Sequence, residues 1–261
     1  GFQVANTSIG RDKNGDWELL TSPTPGKANA LPRLTATASN VVINEWSTGG
    51  RGDDWIELYN PNPLPVDLGG NHLTDDLSSI GRTKFEIPPL NFISPGGFVK
   101  WIADGDLSKG GDHLNFSLAD LGEQVALYSR SKTLIEKVQT GQTEPGESEG
   151  RLPDGSSTIV AFTDTPTPGR SNYKPIESVV INEVLTHTDP PYEDAIELRN
   201  LGEEPLDIGK WWLSNSRSNL RKYQIPAGTT LPARGTTVFY EHQFNPAPGA
   251  DHSFALNSAH G

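Results

Sequence analysis

The chain has 261 residues, 33 acidic against 21 basic, with a formal net charge of −12 at pH 7 and a pI near 4.9. That balance opposes nucleic-acid binding, whose affinity comes mostly from Lys and Arg displacing counterions from phosphates. With no Cys, the chain has no disulfide, thiolate zinc site or cysteine nucleophile, and no apolar run reaches the ~18 residues needed to cross a bilayer.

In chain order, Gly10-Arg11 leads into Asp12-Lys13-Asn14-Gly15-Asp16, which reads as a hairpin turn, with an acidic calcium loop as the alternative. Residues 21–40 read as a proline-rich linker. Strands are expected over 41–46, 55–60, 83–87, 98–103, 124–129 and 133–138, and a short helical turn near 118–122. Ile56 and Leu58 share one face of the second strand while Trp55, Glu57 and Tyr59 take the other, so both faces carry bulk. Turns are specified by Asn60-Pro61-Asn62-Pro63, Pro88-Pro89, Ser94-Pro95-Gly96-Gly97 and Pro153-Asp154-Gly155. Residues 163–178 read as a second linker. Short strands at this spacing, with 27 Gly and 21 Pro spread along the chain, predict an all-β fold of immunoglobulin-like β-sandwich domains.

The chain also repeats itself. Val41-Val42-Ile43-Asn44-Glu45 returns as Val179-Val180-Ile181-Asn182-Glu183, and Trp55-Ile56-Glu57-Leu58-Tyr59-Asn60 as Ala195-Ile196-Glu197-Leu198-Arg199-Asn200. Pro65-Val66-Asp67-Leu68-Gly69 is answered by Pro205-Leu206-Asp207-Ile208-Gly209, and Asp112-His113 by Asp251-His252. A period this long is a whole folded unit. Gly10-Arg11 through Thr24-Pro25-Gly26-Lys27-Ala28-Asn29 matches Gly150-Arg151 through Thr167-Pro168-Gly169-Arg170-Ser171-Asn172. The expected organisation is therefore C-terminal strands of one copy plus a linker over 1–34, a complete copy plus linker over 35–175, and the N-terminal part of a further copy over 176–261. This layout, and the absence of Met, suggest an excerpt from a longer protein. Residues 1–30 and 177–261 could complement each other, within a chain or head to tail between chains.

Ile43-Asn44-Glu45, Trp55-Ile56-Glu57-Leu58-Tyr59-Asn60, Val66-Asp67-Leu68-Gly69, Gly150-Arg151-Leu152-Pro153-Asp154-Gly155 and Pro166-Thr167-Pro168-Gly169 together resemble the lamin tail domain. The version in bacterial extracellular proteins is the most similar. The resemblance implies an immunoglobulin-like sandwich without enzymatic activity of its own. In bacteria such domains are strung on large secreted or surface proteins, sometimes beside nuclease, phosphatase or kinase-like domains; in animals they occur on nuclear filament proteins.

Glu45 and Glu57 form a pair that could serve as general acid and base. The structural alternative is a buried pair neutralised by a cation, for which Arg151 is the expected partner, since an unpaired buried carboxylate is costly. Asp104, Asp106 and Asp112 offer oxygen ligands for Ca2+ on a glycine-bearing loop, or simply a solvated acidic loop. Arg51-Gly52-Asp53 is an integrin-type tripeptide or a chance triplet. Trp211-Trp212 should send one indole inward and leave the other for a neighbouring domain or a sugar. Arg217, Arg221 and Lys222 form the basic cluster worth testing for nucleic acid. The six His show no ligand-pair spacing, and no phosphate loop or nucleophile elbow occurs.

These readings predict a non-catalytic structural, spacer or adhesion module of a larger bacterial secreted or cell-surface protein, located outside the cell. The alternative is a set of accessory domains of an extracellular hydrolase. Expected partners are neighbouring domains, like chains, or a surface protein or carbohydrate, and no resident cofactor is expected other than Ca2+ at the Asp104 loop.

Overall fold

A computed structural model describes residues 1–49, 54–189, 191–216, 219–250 and 252–256. Arg51-Gly52-Asp53, Arg217, Asp251 and His260 lie outside the described residues. The chain divides into two units, Gly1–Lys174 and Pro175–Gly261.

The first unit runs through β1 (Ser8–Arg11), β2 (Trp17–Leu20), β3 (Val42–Ser47), β4 (Trp55–Tyr59), β5 (Val66–Asp67), β6 (His72–Thr74), β7 (Phe85–Glu86), β8 (Phe92–Ile93), β9 (Phe98–Ile102), β10 (Gln124–Tyr128), β11 (Leu134–Gln139), β12 (Ser148–Arg151) and β13 (Ile159–Phe162). A five-stranded antiparallel sheet has the order β13-β12-β3-β4-β9, and a four-stranded one the order β11-β10-β6-β7. Both feed one core: Ile43, Trp46, Ile56, Leu58 and Trp101 come from the first, Leu73, Val125, Leu127 and Val138 from the second. Removing that apolar surface from water, at roughly 25 cal/mol per Å², is what holds two sheets face to face as an immunoglobulin-like β-sandwich.

The second unit comprises β14 (Val179–Leu185), β15 (Ala195–Asn200), β16 (Leu206–Asp207), β17 (Trp212–Leu213), β18 (Tyr223–Gln224), β19 (Thr230–Leu231), β20 (Thr236–Tyr240) and the short α1 (Glu241–Phe244). Its sheet β14-β15-β20 and the pairs β16-β19 and β17-β18 reproduce β3-β4-β9, β5-β8 and β6-β7 of the first unit. The core gathers Ile196, Leu198, Ile208, Ile225, Leu231, Phe239, Phe244 and Phe254.

Repeated polar residues make repeated turns. Asn60 is fully buried; its Nδ2 donates to the carbonyls of Leu64, Ile93 and Ser94, and its Oδ1 accepts from the Asn62 N–H. Asn200 does the same with Glu204, Leu231 and Gly202. Each Asn satisfies backbone groups left over where a strand ends, which explains its return in the second copy.

Several sequence expectations change in detail. The turn expected to be helical near 118–122 is a single reversal closed by Gly122 N–H on the Ala119 carbonyl, because Gly122 takes φ +86° there. A 3-10 turn over Gly81–Thr83 replaces the start of the strand expected at 83. The hairpin turn expected at Asp12–Asp16 joins β1 to β2, whereas the strands of the β12-β13 hairpin went unpredicted, since short, glycine-interrupted segments carry little apolar alternation. Residues 163–178 are not a plain linker: Thr167 and Asn172 within them are buried.

Candidate functional site

In β3 and β4 the register shifts between Ile43 and Glu45, a bulge that leaves Asn44 extra and sets Glu45 directly opposite Glu57. Two carboxylates facing each other across a strand pair repel, and both are fully buried. The donors that hold them come from β12 and from the proline-rich segment after β13. The Ser148 hydroxyl donates to Glu45 Oε1 at 2.5 Å, the Thr167 N–H to the same oxygen at 2.9 Å, and the Thr167 hydroxyl to Oε2 at 3.0 Å. Glu57 accepts from the Gly169 N–H at 2.5 Å and from Asn44 Nδ2 at 3.5 Å.

Further bonds lock the segment in place. Asn172 Nδ2 donates to the Arg151 carbonyl at 2.9 Å, and the Asn172 N–H to Asp154 Oδ1 at 2.9 Å. Asp154 Oδ1 also accepts from Asn44 Nδ2 at 3.0 Å. Gly150 lies opposite Glu45, and a Cβ there would stand 2.6 Å from the Asn44 carbonyl oxygen. Only glycine lets the strand approach so closely.

Burial raises both carboxyl groups. The Glu57 carboxyl is pushed up to about 8, chiefly by loss of water, against the Gly169 N–H and with help from the neighbouring Glu45. Glu45 is also raised by burial, but its Ser148 and Thr167 donors oppose the shift. Glu57 therefore keeps its proton near neutrality, while Glu45, with three donors, has the better stabilised charged form of the two.

The expected cation is not there. Side chains alternate along β12, so Ser148 and Gly150 share the Glu45 face and Arg151 points the other way. Its Nε donates to the Ile43 carbonyl at 2.8 Å, Nη1 to the Ser156 carbonyl at 2.5 Å, and Nη2 meets Glu136 on β11 at 3.3 Å. Arg151 thus ties the two sheets together, while neutral donors and a retained proton replace it at Glu45 and Glu57. Sealed from solvent, the pair borders neither the groove of about 520 Å³ lined by Ala36, Asn71, Arg130 and Ile135 nor that of about 370 Å³ beside Lys84 and His113. Carboxylates that no substrate can touch have no acid–base chemistry to perform on one.

The Asp104 loop is closed on itself. Asp104 Oδ2 receives Lys109 Nζ at 2.7 Å and His113 Nδ1 at 3.0 Å, and its Oδ1 takes the Asp106 N–H. Lys109 first, then His113 and that N–H, hold its carboxyl well below the usual range. Asp106 is occupied by Ser108. Among the described residues no group of three or more His, Asp or Glu side chains converges to hold a metal.

Trp211 packs against the core of the second unit, while Trp212 is 37% exposed. Lys222 donates to Asn215 Oδ1. No helix among the described residues is long and apolar enough to cross a membrane.

The residues that sequence reasoning missed at the carboxylate pair are Asn44, Ser148, Asp154, Thr167, Gly169 and Asn172. The repeat held the signal for most of them: Ser8, Thr24, Gly26 and Asn29 stand where Ser148, Thr167, Gly169 and Asn172 recur, and Asn182 where Asn44 does.

A family model described as Lamin Tail Domain matches residues 35–142 and 173–260, together well over half the chain. The clasping segment 148–172 lies between the two matched stretches. Neither the curated proteins nor the solved structures gave a match.

Proposed function

The chain belongs to the lamin tail domain family, and from that premise we propose that it is a non-catalytic spacer or adhesion module of a larger bacterial secreted or cell-surface protein. The observation that carries this reading is the burial of Glu45 and Glu57. The pair that most resembles a catalytic dyad in the sequence is closed under Thr167 and Gly169 and serves to fasten the segment 148–172 to the sheet. Tandem units, an acidic surface and short turns suit a chain that holds or spaces other domains.

The test is surface proteolysis of intact cells producing the protein, followed with an antibody against this chain. Cleavage without lysis is the expected result, and full protection until lysis overturns the reading. Nuclease or phosphatase activity that co-purifies with the intact parent protein would point instead to an accessory role beside a hydrolase.

A further inference from the structure

The groove of about 520 Å³ in the first unit takes no part in the carboxylate clasp. One wall is the segment 35–39, held by the Ala36 N–H on the Pro65 carbonyl and leading into a 3-10 turn at Ala38–Asn40; the other is the loop 129–133 between β10 and β11. Ala36 and Ile135 pack on the core between them and give the groove an apolar floor. Small-molecule sites have volumes of roughly 300–1,000 Å³, and this one falls among them.

Asn71 is 4% exposed and lines this groove. Its Nδ2 donates to the Leu68 carbonyl at 2.8 Å, and a carbonyl only accepts, so the amide cannot be turned round. Its Oδ1 accepts no hydrogen bond among the described residues and is not sealed from solvent, which leaves a fixed acceptor presented to the groove. The turn itself does not require this side chain: Trp211 stands at the equivalent place in the second unit, and its N–H closes on the Ile208 carbonyl as the Asn71 N–H closes on that of Leu68. Beside Asn71, Arg130 lies over the Gly69-Gly70 turn. Its Nε donates to the Gly69 carbonyl at 2.5 Å and its Nη2 to Asp67 Oδ2 at 2.6 Å, while Nη1 has no acceptor among the described residues. Asp67 Oδ1 takes the Gly69 N–H. Guanidinium and carboxylate are thus matched, and the site offers directed hydrogen bonds without a net charge.

Hydroxyls complete the walls. Thr37 and Ser39 are bonded to each other at 2.9 Å on one side, and Ser129 and Ser131 at 2.9 Å on the other. In each pair one O–H is spent on the other oxygen, so an O–H and lone pairs stay free. A matching ligand donates to Asn71 Oδ1, accepts from Arg130, exchanges hydrogen bonds with hydroxyls, carries no charge and rests an apolar face on Ala36 and Ile135. A sugar ring meets each demand, since its hydroxyls both donate and accept and its C–H face is apolar. An extended peptide fits less well, because the walls present side-chain hydroxyls from a turn and a loop instead of the backbone row on which an added strand pairs. We infer that this groove is a binding site for a neutral mono- or disaccharide. The inference goes beyond the spacer reading and does not depend on it.

Saturation-transfer NMR of the full chain with millimolar glucose, galactose, mannose, N-acetylglucosamine, maltose and lactose tests this, with amide shifts locating the contact. The expected result is transfer to at least one of these sugars, shifts concentrated at Asn71 and over 35–39 and 129–135, and at least a tenfold weakening in Arg130→Ala and in Asn71→Leu. The Arg130 side chain is 59% exposed, so Arg130→Ala folds, and Lys137→Ala, at an exposed position of β11, should bind normally. No transfer to any of the six sugars overturns the assignment, as do shifts confined to another surface or binding that Arg130→Ala leaves untouched. Binding of glucuronate where no neutral sugar binds would make Arg130 an anion site and overturns it too.

Discussion

Thr167 grips both oxygens of Glu45, its N–H donating to Oε1 at 2.9 Å and its hydroxyl to Oε2 at 3.0 Å, although the two residues are 122 positions apart. The contact fastens a proline-rich segment to the central sheet and stabilises the charged form of a carboxylate that has lost all its water. Thr167→Val keeps the shape and the N–H but removes the hydroxyl. A hydrogen bond to a charged group contributes about 1.5–3 kcal/mol, so the urea midpoint of the first unit should fall by the equivalent amount with an unchanged slope.

Gly150 tests the approach of β12 to β3. Gly150→Ala drives a Cβ toward the Asn44 carbonyl oxygen, and the expected loss in chemical denaturation is about 2 kcal/mol or more. Gly111→Ala is the control: a Cβ there meets nothing within 4 Å, and the change should lie within about 0.5 kcal/mol.

Arg151 is a clamp between sheets rather than a counterion for Glu45. Arg151→Lys keeps the charge but cannot reach the Ile43 carbonyl, the Ser156 carbonyl and Glu136 together. Thermal denaturation should show a loss of about 1–3 kcal/mol. A lysine variant as stable as the parent would mean that charge alone matters.

Because Lys109, His113 and the Asp106 N–H already occupy Asp104, millimolar Ca2+ should leave the melting temperature unchanged. A rise that saturates with Ca2+ in calorimetry would contradict the closed-loop reading.

The long strands were legible because they are long and apolar: β4 and β10 put Ile56, Leu58, Val125 and Leu127 in the core as their alternation requires. The pairing of Glu45 with Glu57 was also legible, through repetition. Its resolution was not, because a proton and neutral donors leave no mark in residue charge. Proline-rich composition also made 163–178 look like a spacer, when its conformational restriction is what lets Thr167 and Gly169 present their N–H groups to the pair. The inward turn of Glu45 depended on a bulge at Asn44, which a strict alternation of faces misses.

Glu45 and Glu57 form a sealed structural pair in which Glu57 keeps its proton at neutral pH. Burial raises Glu57 from 4.5 to about 8 and raises Glu45 as well. Between those values the folded unit binds more protons than the unfolded chain, so the stabilisation is fully present below about pH 4.5 and is lost as pH rises through 8. The decisive measurement is chemical denaturation of the parent chain and of Glu57→Gln from pH 5 to pH 8. The parent should lose on the order of a few kcal/mol over that range, and the variant should be nearly flat and the more stable of the two at pH 8. A parent whose stability rises from pH 5 to 8, or a variant that follows the same slope, would contradict the account.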